Sequence, residues 1–70
     1  MTVKKPNQLI KSLDRAIDIL ELVVGKENGM GVTEISRELD IHKSTVYRLL
    51  DTLKYRGYLE KNEGYNEYFA

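Results

Sequence analysis

A mainly α-helical domain with a small β-hairpin, three helices plus a wing, is the fold class that this 70-residue sequence predicts. Three observations carry it. Apolar residues recur at helical spacing in three separate stretches. Only Asp40, Ile41 and His42 part the second stretch from the third. Two short runs, Tyr58-Leu59-Glu60-Lys61 and Glu67-Tyr68-Phe69, flank a turn containing Asn62, Gly64 and Asn66, the pattern of a hairpin.

The first helix is expected from Ser12, whose hydroxyl suits an N-cap because it can accept from an unpaired backbone N–H of the first turn. Leu13, Ala16, Ile17, Leu20 and Val24 follow at amphipathic spacing and form the expected core face. Asp14 and Asp18 lie toward the positive end of the helix dipole. Gly25 and the stretch through Gly29 end this helix, and Met30-Gly31-Val32 reads either as a short strand or as coil. Thr33 opens a second helix with Ile35 and Leu39 turned inward. The third helix, about 43–56, places Val46, Leu49, Leu50 and Leu53 inward, and Gly57 supplies a left-handed stop after Arg56. Two short helices joined by so few residues make a helix-turn-helix, and the hairpin behind them makes it winged.

Composition narrows the function. The chain is 41% hydrophobic and 31% charged, which suits one soluble domain. Without cysteine it offers no thiolate metal site, catalytic thiol or disulfide, in keeping with a cytoplasmic location. The apolar run Leu22–Val24 falls far short of the roughly 20 residues that a membrane span needs. One histidine, no Gly-rich phosphate loop and carboxylates on solvent faces assemble no catalytic constellation, so no enzyme activity, metal or cofactor is expected.

Eleven basic and eleven acidic residues cancel overall, but not locally. Residues 1–11, read as a basic arm preceding a domain over 12–70, carry +3, and residues 43–56 carry +3. Residues 12–42 and 57–70 carry −4 and −2. A polyanion responds to the field within about 8–10 Å, so a neutral but polarised domain can still bind DNA.

Turning the third helix by roughly 100° per residue directs Ser44, Arg48, Asp51 and Tyr55 away from the core, with Thr45, Tyr47 and Thr52 on the flanks. Hydroxyls at the helix start can reach phosphate or base edges. Arg48 can present a two-pronged donor to guanine O6 and N7, and Tyr47 can pack against a thymine methyl. Lys43, Lys54 and Arg56 suit phosphate. His42 is assigned a capping or phosphate-contact role. The competing reading makes Arg48 an ordinary surface arginine paired with Asp51 or Asp40.

The segments Ser12-Leu13-Asp14-Arg15-Ala16-Ile17-Asp18-Ile19-Leu20, Val32-Thr33-Glu34-Ile35-Ser36-Arg37-Glu38-Leu39, Lys43-Ser44-Thr45-Val46-Tyr47-Arg48-Leu49-Leu50-Asp51-Thr52-Leu53 and Arg56-Gly57-Tyr58-Leu59 resemble the DNA-binding domain of the isocitrate lyase regulator (IclR) family. The resemblance implies a winged helix-turn-helix that reads a palindromic double-stranded operator as part of a dimer or tetramer, with a homodimer expected here, to repress or to activate. It also implies a small-molecule effector bound only by a C-terminal domain not contained here. Lys43, Ser44, Thr45, Tyr47 and Arg48 would then face the major groove, Thr33 a phosphate, and the hairpin from Lys61 to Asn66, with Lys61 and Asn62 as its candidate contacts, the flanking backbone or minor groove. The wing departs from a phosphate-binding one in carrying Glu60, Glu63 and Glu67. Ile19 and Leu22 are expected to project from the first helix as a dimer interface, so Leu22→Lys is expected to weaken self-association. The alternative is a winged helix that binds protein, with no specific DNA reading.

Overall fold

The computed structural model describes residues 9–62 and 64–70. Most of the expected arm, with Lys4 and Lys5, therefore lies outside the described residues, as does Glu63. Lys11, expected to end that arm, is instead the first residue of α1 (Lys11–Val24). There follow β1 (Met30–Gly31), α2 (Val32–Leu39), α3 (Lys43–Tyr55), β2 (Glu60–Asn62) and β3 (Glu67–Phe69). Three helices and a small antiparallel sheet make the expected winged architecture.

The core gathers one or two side chains from every element except β2: Ile19 and Val23 from α1, Met30 from β1, Ile35 from α2, Val46 and Leu50 from α3, and Tyr68 from β3. Ile41 in the inter-helical turn and Leu59 ahead of β2 complete it. Leu39, Leu49 and Leu53 pack half-buried against this cluster, so the inward faces of α2 and α3 are as expected.

The face assigned to α1 is corrected. Leu13, Ile17 and Val24 are exposed, while Ile19 is fully buried and Leu22 packs half-buried against the core. Neither residue is the solvent-facing aliphatic that a dimer contact requires, and Leu22→Lys strikes the fold. The reason is that α1 carries apolar residues over a wide arc. The stripe through Ala16, Ile19 and Val23 has the same helical period as the stripe through Leu13, Ile17 and Val24 and lies roughly a third of a turn from it. Periodicity finds both stripes and does not choose between them; the shape of the groove between α2 and α3 does. Ser12 is not the cap either. The N-cap position falls on Ile10, without a side-chain hydrogen bond, and the first helical bond runs from the Asp14 N–H to the Ile10 carbonyl at 2.9 Å.

Met30-Gly31 resolves as a strand and forms one edge of a three-stranded sheet ordered β1-β3-β2. Met30 pairs with Tyr68 and Gly31 with Glu67, while across β3 Lys61 pairs with Tyr68 and Asn62 with Glu67. Gly29 permits this closure. Its φ is +80°, and a Cβ there would stand 2.6 Å from the Tyr68 carbonyl oxygen. Only a residue without Cβ lets the chain leave α1 and run so close to the central strand.

Candidate nucleic-acid interface

The turn between α2 and α3 sets the angle at which α3 is presented. Asp40 ends α2 in the left-handed conformation, with φ 54°. The Asp40 N–H bonds back to the Ser36 carbonyl. The Ile41 N–H reaches the same carbonyl at 3.1 Å, and the Ser36 hydroxyl donates to the Ile41 carbonyl. Ser36 thus grips Ile41 from both sides, and burial of the Ile41 side chain locks the turn onto the core. This is a Schellman-type stop, in which the residue after the left-handed position also makes the apolar contact. His42 occupies the N-cap of α3 and is exposed; its carbonyl accepts the Val46 N–H at 3.0 Å, but its side chain makes no capping bond. His42 therefore does not cap α3 with its side chain, contrary to expectation.

At the far end of α3 the Gly57 N–H bonds to the Lys54 carbonyl at 3.0 Å and the Tyr58 N–H to the Leu53 carbonyl at 2.9 Å. Gly57 has φ +86°, the left-handed stop expected from sequence. The helix itself closes at Tyr55, with Arg56 as its C-cap. Both termini of α3 are fixed by backbone geometry, which leaves its outer face to side chains that have no part in holding the fold.

That outer face carries the expected residues. Ser44, Arg48, Asp51 and Tyr55 are all exposed, as are Lys43 and Lys54 and the neighbouring Arg56. Thr45 is half-buried on the flank nearer α1, where Ser12, Thr45, Arg48 and Thr52 line one shallow cleft. The Thr52 hydroxyl is turned back onto the Arg48 carbonyl at 2.9 Å, which occupies it within the helix. Ser12 therefore stands beside the outward residues of α3, a neighbour that sequence reading placed only as a cap. On the other flank Tyr47 is half-exposed and shares a trough of about 490 Å³ with Thr33 at the start of α2 and with Lys61, Tyr65 and Asn66 of the wing. A second cleft, of about 560 Å³, runs over the inter-helical turn and is lined by Ser36, Arg37, Asp40, His42, Lys43 and Ser44.

The wing residues are placed differently from the others. The Lys61 ammonium lies 5.8 Å from the centre of the Tyr68 ring, a cation–π distance, and the residue is half-buried. The Asn62 side-chain oxygen accepts the Gly64 N–H at 3.1 Å, and the Asn62 carbonyl accepts the N–H groups of Tyr65 and Asn66 at 3.2 and 2.9 Å. Lys61 and Asn62 are thus engaged within the wing, while Tyr65, inside the expected DNA-facing hairpin but not singled out within it, is 75% exposed at its turn. Nothing in its spacing distinguished Tyr65, because its presentation depends on how Asn62 ties the turn.

Comparison with known proteins agrees with this geometry. Residues 12–63 match the IclR helix-turn-helix domain. The HTH-type transcriptional regulator BhcR of Paracoccus denitrificans is 47% identical over 53 residues, which are 76% of this chain and 19% of that protein. The HTH-type transcriptional regulator KdgR of Escherichia coli is 37% identical over 67 residues, 96% of this chain and 24% of that protein. The crystal structure of an IclR transcriptional regulator from Alicyclobacillus acidocaldarius superposes with a TM-score of 0.80 at 25% identity, over 89% of this chain and 25% of that one. A riboflavin kinase of Pyrococcus abyssi is similar over a shorter stretch, 48% identical across 40 residues or 57% of this chain. The chain spans about a fifth to a quarter of the length of the two regulators.

Proposed function

The chain belongs to the IclR helix-turn-helix family, a DNA-binding and transcription-regulating one, and from that premise we propose that it reads a specific operator by laying α3 in the major groove. The observation that carries this reading is the outer face of α3, where Ser44 and Arg48 stand exposed on a helix whose ends are both fixed by backbone bonds. Arg48 supplies the base-reading fork, Ser44 and Thr45 the contacts at the helix start, and Lys43, Lys54 and Arg56 the phosphate contacts that set register. Thr33, at the first turn of α2, donates to a backbone phosphate on the same side as Tyr47.

The chain acts as a homodimer. Its contact face is not Ile19 and Leu22 but the exposed Leu13 and Ile17 of α1, which with Tyr58 form the rim of an apolar groove of about 270 Å³ floored by the half-buried Leu20 and Leu53. Leu13, Ile17 and Tyr58 are 59%, 47% and 60% exposed, a contiguous apolar surface that a second α1 covers. Two copies related by a two-fold axis present two α3 helices to the two halves of an inverted repeat. The domain works without catalysis in the cytoplasm, where its target lies, and an effector acts through a further domain of the whole regulator. No helix of the described residues is long and apolar enough to cross a membrane.

Selection of duplex DNA from a random pool tests this reading. An enriched inverted repeat is the expected result; a pool without enrichment at low salt supports the protein-binding alternative and overturns it.

A further inference from the structure

The wing of this chain is built unlike a cationic clamp. Its one lysine, Lys61, sits over the Tyr68 ring, and its Asn62 side chain holds the turn. Glu60 and Glu67 lie on the strands to either side, and Glu34 and Glu67 both line the trough between the wing and α3. Glu67 opposes a phosphate on the wing side of the trough, opposite Thr33. Among the described residues, the tip of the turn offers no charge: Gly64, Asn66 and, above all, Tyr65 at 75% exposure, on a turn tied by three hydrogen bonds to Asn62 and closed by Asn66 at φ 54°. Tyr47 of α3, 51% exposed, lines the same trough. The two phenols therefore bound one continuous path from the reading helix to the wing.

We propose that Tyr65 is the wing's DNA-contacting residue, its ring packing on a deoxyribose of the strand that flanks α3 and its hydroxyl donating to the adjoining backbone oxygen. The proposal rests on the reading of α3 as the major-groove helix, which sets the flanking strand beside the trough. It follows that the wing strengthens binding without releasing counterions. A cation on phosphate steepens the fall of affinity with salt by close to one unit of slope, whereas a phenol adds affinity that is independent of salt. A tied turn also lowers the ordering penalty of the contact, since the ring is presented by a backbone already held in place. Because backbone and sugar are alike at every site, the contact positions the domain and carries no sequence information.

The test measures affinity of the whole chain for the selected duplex and for a scrambled duplex across a salt series, by fluorescence anisotropy. Four proteins are compared: the unaltered chain, Tyr65→Ala, Tyr65→Phe and Lys61→Ala. Tyr65→Ala is expected to weaken both duplexes alike by about 5- to 30-fold, with the salt slope unchanged. Tyr65→Phe keeps the ring and is expected to lose only a few-fold, and Lys61→Ala to leave the slope as it was. Circular dichroism establishes that each variant is folded, and Tyr65→Phe preserves the test should the alanine variant unfold. An unaltered affinity in both Tyr65 variants overturns the proposal, as does a slope lowered by about one unit in Lys61→Ala. If the unaltered chain selects no duplex at all, the reading of α3 fails and takes this proposal with it; selection with Tyr65 inert removes the proposal alone.

Discussion

Replacing Gly29 with alanine tests how the wing is attached to the rest of the domain. Two terms add. The first is conformational: at φ +80° an L-residue pays roughly 1–2 kcal/mol relative to its preferred backbone. The second is steric. The added Cβ would lie 2.6 Å from the Tyr68 carbonyl oxygen and 3.3 Å from its carbon, and Tyr68 cannot retreat, because it is buried in the central strand with partners on both sides. Relief requires β1 to draw away from β3, at about 1 kcal/mol for each ladder hydrogen bond weakened. Restricting the unfolded chain returns about 0.4–1 kcal/mol. The net is a loss of about 2–3 kcal/mol, a large part of the 3–5 kcal/mol that a core of this size supplies. Gly57→Ala is the control: at φ +86° it carries the conformational term, but its Cβ would meet nothing within 4 Å. Urea unfolding followed by far-ultraviolet circular dichroism should place Gly29→Ala well below Gly57→Ala. Equal losses would refute the argument that close approach to Tyr68, and not backbone conformation alone, selects glycine at position 29.

Ser36→Ala removes the hydroxyl that donates to the Ile41 carbonyl and leaves that acceptor underpaired, for a loss of about 1 kcal/mol in urea unfolding; specific DNA affinity should fall further than stability alone explains, since the same bond sets the angle of α3. Ile17→Lys places a charge on the exposed stripe of α1 and should dissociate dimers in sedimentation at high concentration while leaving the melting transition nearly intact. Leu22→Lys should instead lower the melting transition, because Leu22 packs against the core. Dimers that survive Ile17→Lys would remove the proposed contact face.

The parts of this molecule that were legible in the sequence are those in which local chemistry and burial agree. Val46, Leu49, Leu50 and Leu53 form the only apolar stripe on α3, so its inward face, and by subtraction its outer one, followed from spacing. Gly57 announced its own left-handed stop. On α1 two stripes competed, and the choice between them is made by the groove that receives the helix, which no local pattern encodes. Asp40 was legible as the end of α2, yet the double grip of Ser36 on Ile41 was not, because it joins residues five apart through a left-handed turn. For the wing, the family resemblance implies DNA contact somewhere between Lys61 and Asn66, with Lys61 and Asn62 as candidates, and does not say which side chains are free to make it. Pairing across the sheet puts Lys61 against Tyr68, and the tight turn draws the Asn62 amide inward, both consequences of strand register. Met30-Gly31 is too short for any strand pattern and becomes a strand only because β3 is there to pair with it.

Base reading by α3 is proposed to run through Arg48. It is tested most directly by measuring affinity for the selected duplex and for single-base variants of it, with the unaltered chain, Arg48→Ala and Lys54→Ala. Arg48→Ala should lose about 1–3 kcal/mol of discrimination at one base pair of each half-site and bind the variants there alike, while Lys54→Ala weakens every sequence equally. Arg48→Ala that keeps the full base preference, or that weakens all duplexes in the same proportion as Lys54→Ala, would contradict the account.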